Sequence, residues 1–99
     1  MSRSATPDLV TDVHIESSIG DMFANHYAVV ILDSDFTTFA EVEGACVVLF
    51  GYTPGDAAAL AMTVHTSGEA VAAVMGEDEA RKAARSLRRW NVRSRLEKV

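Results

Sequence analysis

No apolar run in this sequence approaches the roughly 20 residues that a helix needs to cross a bilayer, so no membrane-spanning segment is expected. Arg3 is followed by no apolar stretch, which argues against a secretory signal peptide. The one cysteine, Cys46, rules out an internal disulfide; its apolar helical surroundings make it a small buried hydrophobe in a reducing cytoplasm rather than a nucleophile. There is no His-x-x-x-His pair, no Cys pair and no glycine-rich phosphate loop. Bases are scarce over most of the chain: residues 1–80 hold thirteen acidic groups against one base, Arg3. Such acidity repels a phosphate backbone, so no nucleic-acid partner is expected.

The 99 residues, 48% of them hydrophobic, fit one domain near the lower end of what a single core stabilises. Few aromatics and many Ala and Val residues indicate a compact core of small side chains. Eight of the nine bases crowd into residues 81–99: Arg81, Lys82, Arg85, Arg88, Arg89, Arg93, Arg95 and Lys98. Cations that stabilise the end of a helix and occupy the wet face of a strand account for this cluster. A nucleic-acid-binding module using the Arg-rich segment is the weaker alternative.

Residues 1–25 have weak periodicity and read as a mobile arm, although Val10 to Ile15 has an imperfect strand pattern. The domain is expected over 26–99. Tyr27 to Leu32 is continuous, apolar and β-branched, the pattern of a central strand. Thr38 can cap a helix whose apolar positions are Phe39, Val42, Ala45, Cys46, Leu49 and Phe50, with Gly44 allowing close packing and Gly51 at its exit. Thr53, Pro54 and Asp56 mark the next helix start in the manner of a capping box, and Gly68 its end. Glu69 to Met75 reads as a strand. Glu77, Asp78 and Glu79 open a third helix that Arg88 and Arg89 close, and Val92, Ser94 and Leu96 alternate with Arg93 and Arg95 as a half-exposed strand. The expected fold is α+β, a small, mostly antiparallel three-stranded sheet with three helices, in the order β-α-α-β-α-β.

Chemistry concentrates at two places. Asp33-Ser34-Asp35-Phe36-Thr37 follows the central strand, and Thr63-Val64-His65-Thr66-Ser67-Gly68 ends the second helix. A Ser34–His65 couple has neither an orienting acid nor an oxyanion hole marked in sequence, so catalysis is not expected. Asp33, Asp35 and His65 are too common a combination to indicate a metal, and no cofactor is expected. Taken singly, His65 is a cation at a helix C-terminus, Asp33 and Asp35 are turn formers, and Phe39 and Val64 are core residues. Together they suit a small cation beside an apolar cavity.

In order and spacing, this pattern resembles ClpS, the adaptor that hands N-degron substrates to the Clp AAA+ protease. The family has an apolar strand, then Asn-Asp-Asp-Tyr/Phe-Thr-Pro-Met; here Val30-Ile31-Leu32 precedes Asp33-Ser34-Asp35-Phe36-Thr37-Thr38-Phe39. The family's Val-His is met by Val64-His65, its Gly-(Lys/Arg)-Ala-(Ile/Val) by Gly68-Glu69-Ala70-Val71, and its ending by Leu96-Glu97-Lys98. The resemblance implies an adaptor without catalytic activity, working in the cytoplasm. Its partners would be proteins with a bulky apolar first residue and the N-terminal domain of a ClpA- or ClpC-type unfoldase, which the 1–25 arm would engage.

By the same resemblance Asp33, Ser34 and His65 take the substrate's α-amine, Asp35 and Thr37 form the rim, and Phe39, Val42, Ala61, Val64 and Val92 line the pocket. Three departures stand out. The carboxylate sits one residue early, in Asp33-Ser34 for Asn-Asp. Phe39 replaces a Met where Ala61 replaces a larger residue. Thr38 stands where the family has Pro, which removes the ring's constraint on the loop. A divergent member that docks on the unfoldase without reading N-termini is the alternative.

Overall fold

The structure is a computed structural model that describes residues 25–99. The arm expected over 1–25 and the strand pattern over Val10–Ile15 lie outside the described residues, Asn25 apart. The elements run β1 (His26–Leu32), α1 (Phe39–Phe50), α2 (Pro54–Ser67), β2 (Glu69–Gly76), α3 (Glu77–Arg89) and β3 (Arg93–Lys98). The sheet is antiparallel with the order β2-β1-β3, so the continuous apolar strand lies in the middle, as expected. The α+β fold and its β-α-α-β-α-β order are those read from sequence.

β1 is apolar from Tyr27 to Leu32 because both of its faces are covered. Val29 and Ile31 are fully buried against the helices. Val30 points the other way and is still only 1% exposed. Arg95 of β3 stands opposite Val30, and its Nη1 reaches Oε1 of Glu69 on β2 at 2.6 Å. The ion pair therefore crosses the central strand on its outer face, and the arginine stem shelters Val30. The expected wet face of β3 thus shields a side chain as well as meeting solvent.

β2 carries an irregularity invisible in its sequence. Val29 pairs with Ala73 and Val30 with Val71, leaving Ala72 as an extra residue in a β-bulge. The hydroxyl of Tyr52 donates to the Ala72 carbonyl at 2.6 Å, so this backbone acceptor is satisfied away from the ladder. The bulge also shifts the alternation, so that Val71 and Val74 share the outer face and both are 53% exposed.

Local signals account for the helix ends. Thr38 accepts from Glu41 N–H at 3.1 Å and its own N–H donates to Glu41 Oε1 at 2.9 Å, a complete capping box. Thr53 accepts from Asp56 N–H at 3.2 Å, but Asp56 makes no return bond, so the second motif is half a capping box. Gly51 (φ 72°) and Gly68 (φ 91°) close α1 and α2 in the left-handed region that glycine adopts without cost. In α1, a Cβ on Gly44 would lie 2.6 Å from Cζ3 of Trp90, so the glycine admits the indole against the helix backbone.

Val29 and Ile31 meet Val42, Ala45 and Cys46 of α1, Ala57, Ala61 and Val64 of α2, and Ala80 and Leu87 of α3 in one core, with Val92 at the entry to β3. No polar or charged side chain is buried among the described residues.

Candidate functional site

The loop between β1 and α1 is held at both ends. Asp33 N–H donates to Gly68 O at 2.9 Å, tying the residue that follows β1 to the cap of α2, one turn beyond His65. Ser34 Oγ accepts from Phe36 N–H at 3.2 Å, and Ser34 O accepts from Thr37 N–H at 3.2 Å, so the serine turns the chain on itself.

Asn91 secures the far side. Its Nδ2 donates to Phe36 O at 2.6 Å and to Glu41 Oε1 at 3.2 Å, while its carbonyl accepts from Thr37 Oγ1 at 2.7 Å. It does this from φ 66°, a left-handed conformation that asparagine tolerates better than most residues. Glu41 is held below the ordinary carboxylate range, first by the Thr38 N–H and then by Asn91. Thr38 N–H is a donor that a proline at this position would remove. The loop is therefore fastened by hydrogen bonds to Glu41 and Asn91 in place of a ring.

The candidate binding groups are placed as follows. The carboxylates of Asp33 and Asp35 are exposed, and among the described residues no hydrogen bond or ion pair engages them. His65 is exposed in the last turn of α2, where helix carbonyls favour a cation. Its ring meets that of Phe39 edge to face, with centroids 5.2 Å apart and planes at 69°. The backbone bond from Asp33 to Gly68 thus joins the segment that carries the two carboxylates to the helix end that carries the imidazole and its aromatic neighbour.

Val42, Ala61, Val64 and Val92, expected to line the pocket, are between 2% and 4% exposed and belong to the continuous core. Phe39 is 41% exposed and stands apart from them at the surface. The apolar wall expected of a pocket is therefore contiguous, but it faces protein atoms in this structure, with Phe39 at the edge. Among the described residues no group of three or more His, Cys, Asp or Glu is arranged to hold a metal ion.

Reading the sequence alone missed two organising residues. Asn91 had one signal, an asparagine immediately after an Arg-rich helix end, where left-handed residues terminate helices. Glu41 had a better one, the Thr38-x-x-Glu41 spacing of a capping box.

The family model described as "ATP-dependent Clp protease adaptor protein ClpS" matches residues 23–95. Among solved structures, that of Agrobacterium tumefaciens ClpS2 bound to L-phenylalaninamide matches with a TM-score of 0.71 and 22% sequence identity, over 75% of this chain and 96% of that one. No curated protein matches the chain at a significant level. The family match covers most of the chain, and the fold agrees with it: the chain belongs to the ClpS family of Clp protease adaptors.

Proposed function

We propose that this protein binds the N-terminus of substrates whose first residue is bulky and apolar, and delivers them in the cytoplasm to the N-terminal domain of a ClpA- or ClpC-type unfoldase. The observation that carries the reading is the Asp33 N–H to Gly68 O bond, which joins the segment bearing the unengaged carboxylates of Asp33 and Asp35 to the helix end bearing His65. The ligand of the Agrobacterium ClpS2 structure, L-phenylalaninamide, supports it, because that molecule combines an α-amine with an apolar side chain.

In this reading Asp33 supplies the negative charge for the amine and His65 and Ser34 accept hydrogen bonds from it. Asp35 and Thr37 complete the rim; the Thr37 hydroxyl donates to Asn91 O and keeps lone pairs for a ligand donor. Phe39, Val42, Ala61, Val64 and Val92 form the apolar wall. Entry of a side chain requires Phe39 to swing from His65 and the wall to open. Burying a Leu- or Phe-sized side chain contributes roughly 1.5–3 kcal/mol. Charge-assisted bonds to the amine add roughly 1.5–3 kcal/mol each, which gives micromolar-class affinity after the entropy of association.

Titration of peptides beginning with Leu, Phe, Tyr, Trp or Ala, with N-acetylated controls, tests the proposal. Free bulky N-termini are expected to bind at least tenfold tighter than Ala or acetylated peptides, and His65→Ala to erase that difference. Equal, weak binding of all peptides would sink the reading. One observation favours a second: Ser34 Oγ is already engaged by Phe36 N–H and the wall is covered, which suits a regulator that docks on the unfoldase without reading N-termini. Co-purification with an unfoldase in the absence of peptide binding separates the two.

A further inference from the structure

A cleft of about 490 Å³ lies between α3 and β3. Arg88 lines it from the helix and Arg93 and Arg95 from the strand, with Ala84 and Leu96 supplying apolar surface. Arg95 is engaged by Glu69 and Glu97, whereas Arg88 and Arg93 make no ion pair among the described residues. In a chain of net charge −5 this is a local concentration of unneutralised cations.

β3 is an edge strand, and its ladder to β1 leaves backbone groups free. Val99 N–H donates to His26 O, so the bonded pairs of the ladder fall at Ala28/Glu97, Val30/Arg95 and Leu32/Arg93. The N–H and C=O groups of Ser94 and Leu96 therefore point to the open edge, where an extended chain can add as a strand.

The cleft also adjoins the candidate amine site. Asn91 lines it while holding Phe36 and Glu41, and Arg93 is the register partner of Leu32, which precedes Asp33. The end of the cleft at Arg93 thus adjoins the segment that carries the unpaired carboxylates of Asp33 and Asp35, and Arg88 and Arg93, which make no ion pair among the described residues, line the cleft itself. An acidic segment next to a basic cleft matches a polypeptide that is cationic at its first atom and anionic in the residues that follow. A nucleic acid, anionic throughout, meets repulsion at the Asp33 end.

We propose that the α3–β3 cleft binds the part of a substrate that follows its N-terminal residue, and selects an acidic segment laid along the edge of β3. The proposal rests on the amine-binding reading given above. At about 3.3 Å per extended residue, the span from Asp33 to Ser94 and Leu96 places the preferred acidic residues at roughly the third to sixth positions of the substrate.

The test titrates the full chain with labelled peptides that begin with Phe and carry neutral, acidic or basic residues at positions three to six. The acidic peptide is expected to bind roughly three- to tenfold tighter than the neutral one and the basic peptide weaker, with the differences shrinking as salt rises. In an Arg88→Gln/Arg93→Gln variant the acidic-to-neutral ratio falls to about one. A Lys82→Gln/Arg85→Gln variant, which removes the same charge from α3 outside the cleft, retains the preference. Melting curves check that both variants are folded, and Arg93→Gln alone serves if the double variant is not.

Equal affinity for all three free peptides overturns the cleft proposal and leaves amine recognition standing, whereas failure of every peptide to bind overturns both. An acidic peptide that binds equally well when N-acetylated uncouples the cleft from the amine site and refutes the proposal. Retention of a short single-stranded oligonucleotide that Arg88→Gln/Arg93→Gln abolishes, without acidic-peptide preference, would reassign the cleft to phosphate.

Discussion

Replacing Asn91 by alanine removes two side-chain donor contacts, to Phe36 O at 2.6 Å and to Glu41 Oε1 at 3.2 Å, and puts a β-carbon with no local hydrogen bond at φ 66°. The left-handed conformation costs an ordinary residue about 1 kcal/mol or more. The two bonds are exposed, so together they contribute about 1 kcal/mol, toward the lower end for such bonds. Asn91→Ala should therefore destabilise the domain by about 2 kcal/mol, or roughly 10 °C in Tm for a domain of this size. Asn91→Gly loses the same bonds without the conformational cost and should lose about 1 kcal/mol. Asn91→Asp keeps the shape, loses both donors and sets a second carboxylate against Glu41, so it should fall at least as low as glycine. Urea denaturation followed by circular dichroism gives all three values. An alanine variant within 0.5 kcal/mol of wild type, or a glycine variant no better than alanine, would refute this account of how the 33–38 loop is held. The same alanine change should weaken peptide binding, because the rim rides on that loop.

Gly44→Ala should destabilise by about 1 kcal/mol, since its new methyl group meets Trp90 at 2.6 Å and overpacking exceeds the gain in helix propensity. In a Trp90→Ala background the same change should become stabilising, and a double-mutant cycle on denaturation midpoints detects the reversal of sign. Burial pushes the Cys46 thiol up to about 11, so alkylation by iodoacetamide at pH 8 should be very slow in the native chain and rapid in denaturant. The Arg95 guanidinium holds Glu69 below its ordinary value of 4.5, and Thr38 N–H with Asn91 holds Glu41 there. For such depressed carboxylates the stabilisation is complete above pH 4.5 and is lost as the pH falls through the lowered native pKa values. Stability should accordingly decline below about pH 4.5, less steeply in Glu69→Gln. In Asn91→Ala, NMR titration should place the Glu41 midpoint higher than in wild type.

The element order was legible because each boundary carries a local chemical mark. Thr38, and Thr53 with Pro54, start helices by accepting backbone N–H bonds within a turn of themselves, and Gly51 and Gly68 end them at positive φ. The run from Tyr27 to Leu32 announced a middle strand because both its faces need cover. The candidate site was legible as a pair of segments, yet its geometry was not. The sequence puts Phe39 in the same apolar class as Val42 and Val64, but the structure leaves Phe39 at the surface against His65 while the valines sink into the core. Period-3.6 spacing gives the face of a helix, not the depth of the first residue on it.

Chain order alone determined which segments become strands and helices, that the core is built from Ala and Val, and that Asp33 to Thr37 and His65 lie at element ends. Tertiary structure decided how those ends are fastened. Thr37 and Phe36 meet Asn91 across 54 and 55 residues, Glu69 reaches Arg95 over the central strand, and Tyr52 satisfies the bulge at Ala72. A cap is a bond between residues three apart and leaves its mark in their spacing. A clasp between residues half a chain apart leaves none, because it exists only once the sheet has brought the two segments side by side.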